Sequence, residues 1–348
     1  MSSPDNFLFW ISVTHVVPKI GFICSTLFGT QLLCLNYLGA QKMFGGYKYL
    51  MSAFTVLGIV FSTVETLVYP NVHNYNSGLL FFSLEDSFGL SEKWNREIPI
   101  TVYAFLHSAT MALLSVQFIY RYWTIFDIPK LNYFKRSRAL IWVAYCTFFG
   151  VQYSVGSAFL LAQDEVSDEY FREDILLRYN VNVTEIPSMS IVAYDPVDGS
   201  IRWRNLMGVV NIFCVVYIQY IIMIYCGWFM YSKMEDKIQN FSETLKKHHK
   251  QFFKTLVLQI TTPTIILFIP ITIIILLPFF NLNVSIPSGV MLCCFTLYPA
   301  TDSVIVMYVV SEYRNTSRRI CEAVRNKFKS SNDSPITKSR SSIVAPVQ

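Results

Sequence analysis

Two carboxylates stand where carboxylates are expensive. Glu65 interrupts the otherwise uncharged stretch Tyr49 to Tyr69, and Asp302 lies in the last of several long apolar runs, beside Tyr298 and Pro299. An ionisable group in hydrocarbon costs several kcal/mol, so each asks for a role. Glu65 suits either a hydrogen bond to a ligand or a tie between helices. Asp302 suits either a polar latch between two packings of the same segments or a satisfied packing carboxylate. Their depths differ too much for mutual contact. Arg121, followed by Tyr122, closes a charge-free run and offers five donors in a planar fork. It reads as a contact for an inner partner or as a snorkelling cation. Lys250 and Lys254 belong to a second basic stretch that can meet a partner or an anionic leaflet. Tyr103, His107, Asn211, Tyr217 and Thr262 are polar or aromatic residues in the outer halves of apolar runs. They are pocket candidates, with ordinary helix packing as the alternative. No H-E-x-x-H, no G-x-S-x-G and no Cys/His zinc spacing occurs, so the residues point to no catalytic centre, metal or cofactor.

The elements that must position these groups are legible in the composition. Of 348 residues 53% are hydrophobic and 15% charged, with a mean hydropathy of +0.40. A soluble domain is usually about 25% charged. Crossing a bilayer takes roughly 20 apolar residues. Such runs cover about 20–40, 49–69, 98–120, 139–163 and 206–232, and a last one from Thr255 to Val310 is long enough for two helices. Its break belongs between Pro278 and Pro287, giving helices at about 255–277 and 288–310. The expected fold is an all-α bundle of seven transmembrane helices over 20–310, because only helices or closed barrels satisfy their backbone in lipid. Residues 1–19 form an outer N-terminus without a basic n-region, so segment one directs insertion itself. Of the 28 basic residues, 21 fall on one side of this arrangement, which makes that side cytoplasmic and the N-terminus external.

Residues 311–329 read as a basic amphipathic helix on the inner leaflet, from Ile320, Val324 and Phe328 among arginines and lysines. Cys321 is a palmitoylation candidate there. Residues 330–348 are Ser-rich and expected to be disordered. The outer loop Asp164 to Asn205 begins with an acidic run, read as a solvated face, and carries the glycosylation acceptor Asn182-Val183-Thr184. None of the eight cysteines lies in a predicted outer loop, so no outer disulfide is expected.

Several motifs in fixed order resemble the nematode serpentine chemoreceptors of the Str class (serpentine receptor class r), the group containing the diacetyl odorant receptor. They are Gly46-Tyr47-Lys48-Tyr49-Leu50-Met51, Pro70-Asn71-Val72-His73, Gln117 to Tyr122, Ser190 to Tyr194, Asn205 to Gly208, Tyr225-Cys226-Gly227, His249 to Gln259 with Pro263, and Leu297-Tyr298-Pro299 with Asp302, then Tyr313-Arg314. They span almost the whole chain. One departure stands out: Ser303 occupies the place of a proline after Asp302. The resemblance implies a G-protein-coupled olfactory receptor in the plasma membrane of sensory-neuron cilia. A small volatile molecule would be its ligand and a heterotrimeric G protein its partner, with no nucleic acid involved. The alternative is a polytopic transporter of a small molecule. Transporters usually show paired repeats and midplane charges in corresponding halves, and seven unequal segments show neither.

The charge asymmetry makes a direct prediction. A tag at Met1 is reached by antibody on intact cells, and a tag at Gln348 only after permeabilisation. The opposite staining would invert the topology and every side assigned from it.

Overall fold

The computed structural model describes residues 4–38, 46–84, 96–282 and 284–332. Helices α1 (Pro4–Leu38), α2 (Tyr47–Val68), α3 (Ile98–Phe126) and α4 (Leu140–Leu160) precede a polar helix, α5 (Glu165–Tyr179), and the long α6 (Trp203–Ile238). The sixth segment is composite: α7 (Glu243–Pro263), a π-turn at Thr264–Phe268, and α8 (Ile269–Leu276). The seventh is α9 (Gly289–Cys293), a tight turn at Cys294–Leu297, and α10 (Tyr298–Val309); α11 (Ser311–Asn332) follows. Six of the described helical stretches are individually long and apolar enough to cross a membrane. The sixth segment makes the seventh member of the bundle. Its prolines explain its division. Pro263 and Pro270 lack an N–H, so the α ladder cannot run unbroken, and Ile269 N–H reaches five residues back to Thr264 O. A turn at Leu277–Phe280 and left-handed Asn281 follow the end of α8 and overlap the stretch from Pro278 to Pro287.

Helix α3 is the axle of the bundle. Its buried side chains run all round the helix, from Ile100 to Ile125. Alanines and serines keep its neighbours close: Ser108 Oγ donates to Phe149 O of α4 at 3.0 Å, and Gly150 of α4 lies under Phe105 so tightly that a Cβ would stand 2.5 Å from its ring. Small residues at helix contacts supply in lipid the packing that the hydrophobic effect supplies in water.

The end of the bundle near residue 70 carries a four-stranded antiparallel sheet, which the all-helical expectation does not include. Its strands β1 (Asn71–Tyr75), β2 (Gly78–Phe82), β3 (Ser188–Val192) and β4 (Ser285–Ile286) lie in the order β3-β2-β1-β4. The period of two gives the sheet two working faces. Val72, Leu79, Phe81, Met189 and Ile191 point into the bundle. Leu80, Phe82 and Val192 point away and are covered by Phe171, Ile175 and Tyr179 of α5 and by Phe7 of α1. That cover is why α1 is helical from Pro4, well ahead of Ile20: Phe7, 1% exposed, has a second layer to pack on. The helical acidic run is also more than a solvated face. Asp164 caps α5 in a reciprocal box with Ser167, and Asp174 is buried. Burial works against the Asp164 carboxylate, but the Ser167 amide and hydroxyl and the Arg202 guanidinium outweigh it and hold its pKa below the usual range.

At the centre of this cover His73, with no exposed surface, donates from Nε2 to Asp174 Oδ2 at 2.6 Å and takes the Tyr179 hydroxyl on Nδ1 at 3.1 Å. Arg178 lies on the other carboxylate oxygen at 3.5 Å, its guanidinium over the Phe7 ring at 4.7 Å. Removing one member of a buried pair typically costs about 3–5 kcal/mol. Asp174→Ala is therefore expected to lower the melting temperature of the detergent-solubilised protein by several degrees. Glu169→Ala, which removes an exposed i,i+3 pair with Arg172, should leave it unchanged. Equal melting of both variants and the parent would mean that the His73–Asp174 contact does not hold the cover.

Candidate functional site

Beneath the sheet lies a cavity of about 110 Å³. Its ceiling is Val72, Leu79, Phe81, Met189 and Ile191; its walls are Tyr103, Ala104 and His107 of α3, Tyr153, Ser157 and Leu161 at α4, Ile212 of α6, Ile271, Ile274 and Ile275 of α8, and Leu292 and Phe295 of the seventh segment. The volume is close to that of cavities that hold benzene, on the order of 150 Å³. The lining is almost wholly apolar, with a few polar atoms set into it. Tyr103 Oη and Ser157 Oγ are buried without a hydrogen-bond partner among the described residues. His107 is ringed by Phe61, Tyr153, Phe268 and Phe295, the last at 5.1 Å between centroids. A lining of this kind matches in size and polarity a small uncharged molecule with an apolar body and one or two hydrogen-bonding atoms.

Of the six residues singled out for ligand contact, Tyr103 and His107 line this cavity and four do not. Glu65 is fully buried just outside it, where Thr296 Oγ1 approaches at 3.4 Å. Asn211 accepts from Gln152 Nε2 at 2.9 Å on the α4–α6 contact. Tyr217 is 54% exposed on the outer surface of α6, a lipid-facing position. Thr262 lies on α7, two residues before the π-turn and outside the cavity lining. Helical periodicity set the depth of these residues but not their azimuth, because apolar runs in lipid give a weak facing signal. The isoleucines of α8 were missed for the same reason, and the strand residues of the ceiling because no strands were read there.

The opposite end of the bundle holds a second constellation. Arg121 was expected at the segment edge, facing outward to a partner. Here α3 continues to Phe126, and Arg121 is buried between two rings, 3.4 Å from the Tyr47 centroid and 3.5 Å from that of Phe252. A desolvated cation on an aromatic face is worth about 2 kcal/mol. The Tyr47 hydroxyl donates to Gln117 Oε1 at 3.3 Å, and the tilted Tyr120 ring lies 5.4 Å from that of Tyr47. Arg121 Nε and Nη2 have no hydrogen-bond partner among the described residues. Unmet N–H groups on a buried charged side chain are costly.

Between the two ends, Gln259 of α7 donates to Asp302 of α10 at 2.6 Å in a fully buried contact. Tyr298 packs edge-on against Phe54, and Pro299 sits 2.9 Å from where a Cβ of Gly58 would stand. Glu65 and Asp302 thus have separate partners. The Tyr122 ring packs at an angle against Phe126 and Tyr225 and edge-on against Phe229. Lys250 pairs with Glu235 at 2.7 Å, and Lys254 is exposed. Cys321 is exposed on α11 and Asn182 is exposed beside α5, while residues 333–348 fall outside the described residues. Among the described residues the cysteines are free and no cluster of metal ligands occurs.

Comparison with known proteins meets these observations at the level of the whole chain. The family described as serpentine type seven-transmembrane GPCR chemoreceptor Str matches residues 14–318. The G-protein coupled receptor str-33 of Caenorhabditis elegans is 34% identical over 308 residues, covering 87% of this chain and 89% of that protein. Serpentine receptor class r-10 of the same organism is 26% identical over 311 residues, covering 88% and 90%. Among solved structures, squid rhodopsin superposes with a TM-score of 0.57 at 11% identity, covering 90% of this chain and 87% of that one, which speaks for the fold alone.

The unpartnered Tyr103 hydroxyl yields a test. Tyr103→Phe removes a buried orphan donor, whose burial costs about 1–3 kcal/mol. The variant is expected to melt at or slightly above the parent temperature, while its half-maximal response to an oxygen-bearing agonist moves up about tenfold. Unchanged agonist potency would show that Tyr103 Oη does not contact ligand.

Proposed function

Because the chain belongs to the Str family of serpentine G-protein-coupled chemoreceptors, we propose that the cavity under the sheet is its odorant site and that the Arg121 cage is its resting-state lock. In this reading the sheet-covered end faces outside and the arginine end faces the cytoplasm, where a heterotrimeric G protein docks. The receptor resides in the plasma membrane, by family resemblance in a sensory-neuron cilium. Asn182, exposed beside α5, carries the glycan.

The observation that carries the proposal is that one segment reaches both places. Ile271, Ile274 and Ile275 of the sixth segment wall the cavity, and Phe252 of the same segment closes the Arg121 cage. Between them lie the π-turn and the Gln259–Asp302 contact. A ligand that favours a different pose of α8 biases the pose of α7 and so frees Arg121, whose unmet donors then find carbonyls or carboxylates of the partner. The energies are compatible. A ligand near benzene size supplies at most about 9 kcal/mol, at roughly 1.5 kcal/mol for each of about six heavy atoms. Moving a two-state equilibrium from 1:99 to 99:1 takes about 5.5 kcal/mol of differential affinity. The lock must therefore be light, and a cation between two rings with unmet donors is a light lock. Glu65 and Asp302 act as packing carboxylates that hold the seventh segment to the second and sixth.

Arg121→Ala is expected to abolish agonist-evoked calcium signals at near-normal surface level, with Lys130→Ala as an unaffected comparator. Phe252→Ala, which opens the cage and keeps the arginine, is expected to raise agonist-free signalling about tenfold or more. Equal responses of all three variants and the parent, with no rise in basal signal, would refute the lock.

A further inference from the structure

We propose that the ligand reaches the cavity sideways from the membrane, through the seam between α6 and α8, rather than through the sheet-covered end; this rests on the cavity being the ligand site. The covered end is shut twice. The inner face of the sheet forms the ceiling, and α5 with Phe7 seals the outer face. The sheet is also tied to the bundle on several sides. Asn74 Nδ2 donates to Ile274 O at 3.0 Å, and Ser288 Oγ donates to Asn74 Oδ1 at 2.8 Å. The Tyr194 hydroxyl donates to Phe279 O at 2.9 Å, and Val192 N–H donates to Asn205 Oδ1 at 3.1 Å. Opening that end breaks several buried hydrogen bonds at once, with their partners left unsatisfied.

The seam has no such ties. At its lower end Tyr220 of α6 and Thr264 of the π-turn share a hydrogen bond of 2.9 Å, and the Tyr220 ring meets Phe268 edge-on. From there towards the covered end, no hydrogen bond or ion pair joins α6 to α8 among the described residues. Helical geometry identifies the side chains that close it. Phe213 lies seven residues, or two turns, above Tyr220 and so shares its face. Ile271 lies seven residues beyond Thr264 on the segment running the other way. The two therefore stand at about the same height, and Ile212 and Ile271 both line the cavity. Both seam residues are half-buried, with Ile269 and Ile273 exposed on the lipid side of α8. An apolar slit without hydrogen bonds opens at the cost of dispersion contacts alone, and it admits uncharged molecules that partition into lipid. The structure thus assigns the receptor a chemical class of ligand, neutral and lipid-partitioning, by route as well as by lining.

The test measures access without signalling. Ala104→Cys places a thiol in the cavity wall, and its modification is followed by peptide mass spectrometry on the full chain in phosphatidylcholine nanodiscs. The probes are methyl methanethiosulfonate, small and uncharged, and its charged trimethylammonium-ethyl analogue. The uncharged probe is expected to react at least tenfold faster. Adding Phe213→Trp should slow it about tenfold, adding Phe213→Ala should speed it several-fold, and Asp174→Ala, which loosens the cover, should leave it within twofold. Comparable rates for the two probes, or rates indifferent to both Phe213 changes, overturn the route. Those results would leave the ligand site itself standing, since Tyr103→Phe tests that independently. The opposite signs expected for Phe213→Trp and Phe213→Ala separate gating from a general loss of folding.

Discussion

The contact between His73 and Asp174 organises one whole end of the molecule. A histidine without exposed surface on a strand is tolerable only if both ring nitrogens are satisfied, and α5 exists at the place where it can satisfy them. Once α5 is fixed there, its apolar residues cover the upper face of the sheet, and Phe7 and Ile11 are drawn into the same layer. The lower face of the sheet is then committed to the bundle interior, since strand residues alternate. The cavity is what remains between that face and the helices. A polar contact of a few ångströms thus determines the ceiling height of an apolar chamber.

Much of this was open to sequence reading, and the reasons are physical. Backbone satisfaction in lipid forces long apolar runs into helices, so the helical bundle could be read directly. Two short runs around a turn were the overlooked signal at the covered end. Val72, His73 and Asn74, then Asn76-Ser77-Gly78, then Leu79 to Phe82 make a hairpin signature: two short runs about a turn rich in Asn, Ser and Gly. Two motifs on which the family resemblance rests, Pro70 to His73 and Ser190 to Tyr194, turn out to contain β1 and β3 residues. The burial of Arg121 was not readable at all. Its partners Tyr47 and Phe252 come from segments two and six, and a sequence does not state which azimuth of three helices meets at one point.

The two ends are built from opposite materials. At the covered end, His73 and Asp174 are held between Tyr179 and Arg178, and the sheet above the apolar chamber is tied to the bundle by several hydrogen bonds. At the arginine end, rings hold a cation whose donors are partly unmet. The first arrangement favours one structure, and the second favours exchange of partners. In the proposed reading, chemoreception draws on both: a chamber that measures size and a lock that a few kcal/mol can turn.

The π-turn has a geometric consequence of its own. An α-helix advances 100° per residue, and a π-turn accommodates one residue more than the α ladder would. The half of the segment before Thr264 is therefore out of phase, by about one residue's rotation, with the half after Phe268. That phase shift is what lets a single strand of chain aim Ile271 and Ile274 at the chamber and Phe252 at the arginine, which an uninterrupted helix of the same sequence would point in different directions. If the wide turn migrates or tightens, the two halves rotate against each other like a screw with a movable thread, and an axial displacement too small to see at one end becomes a change of facing at the other.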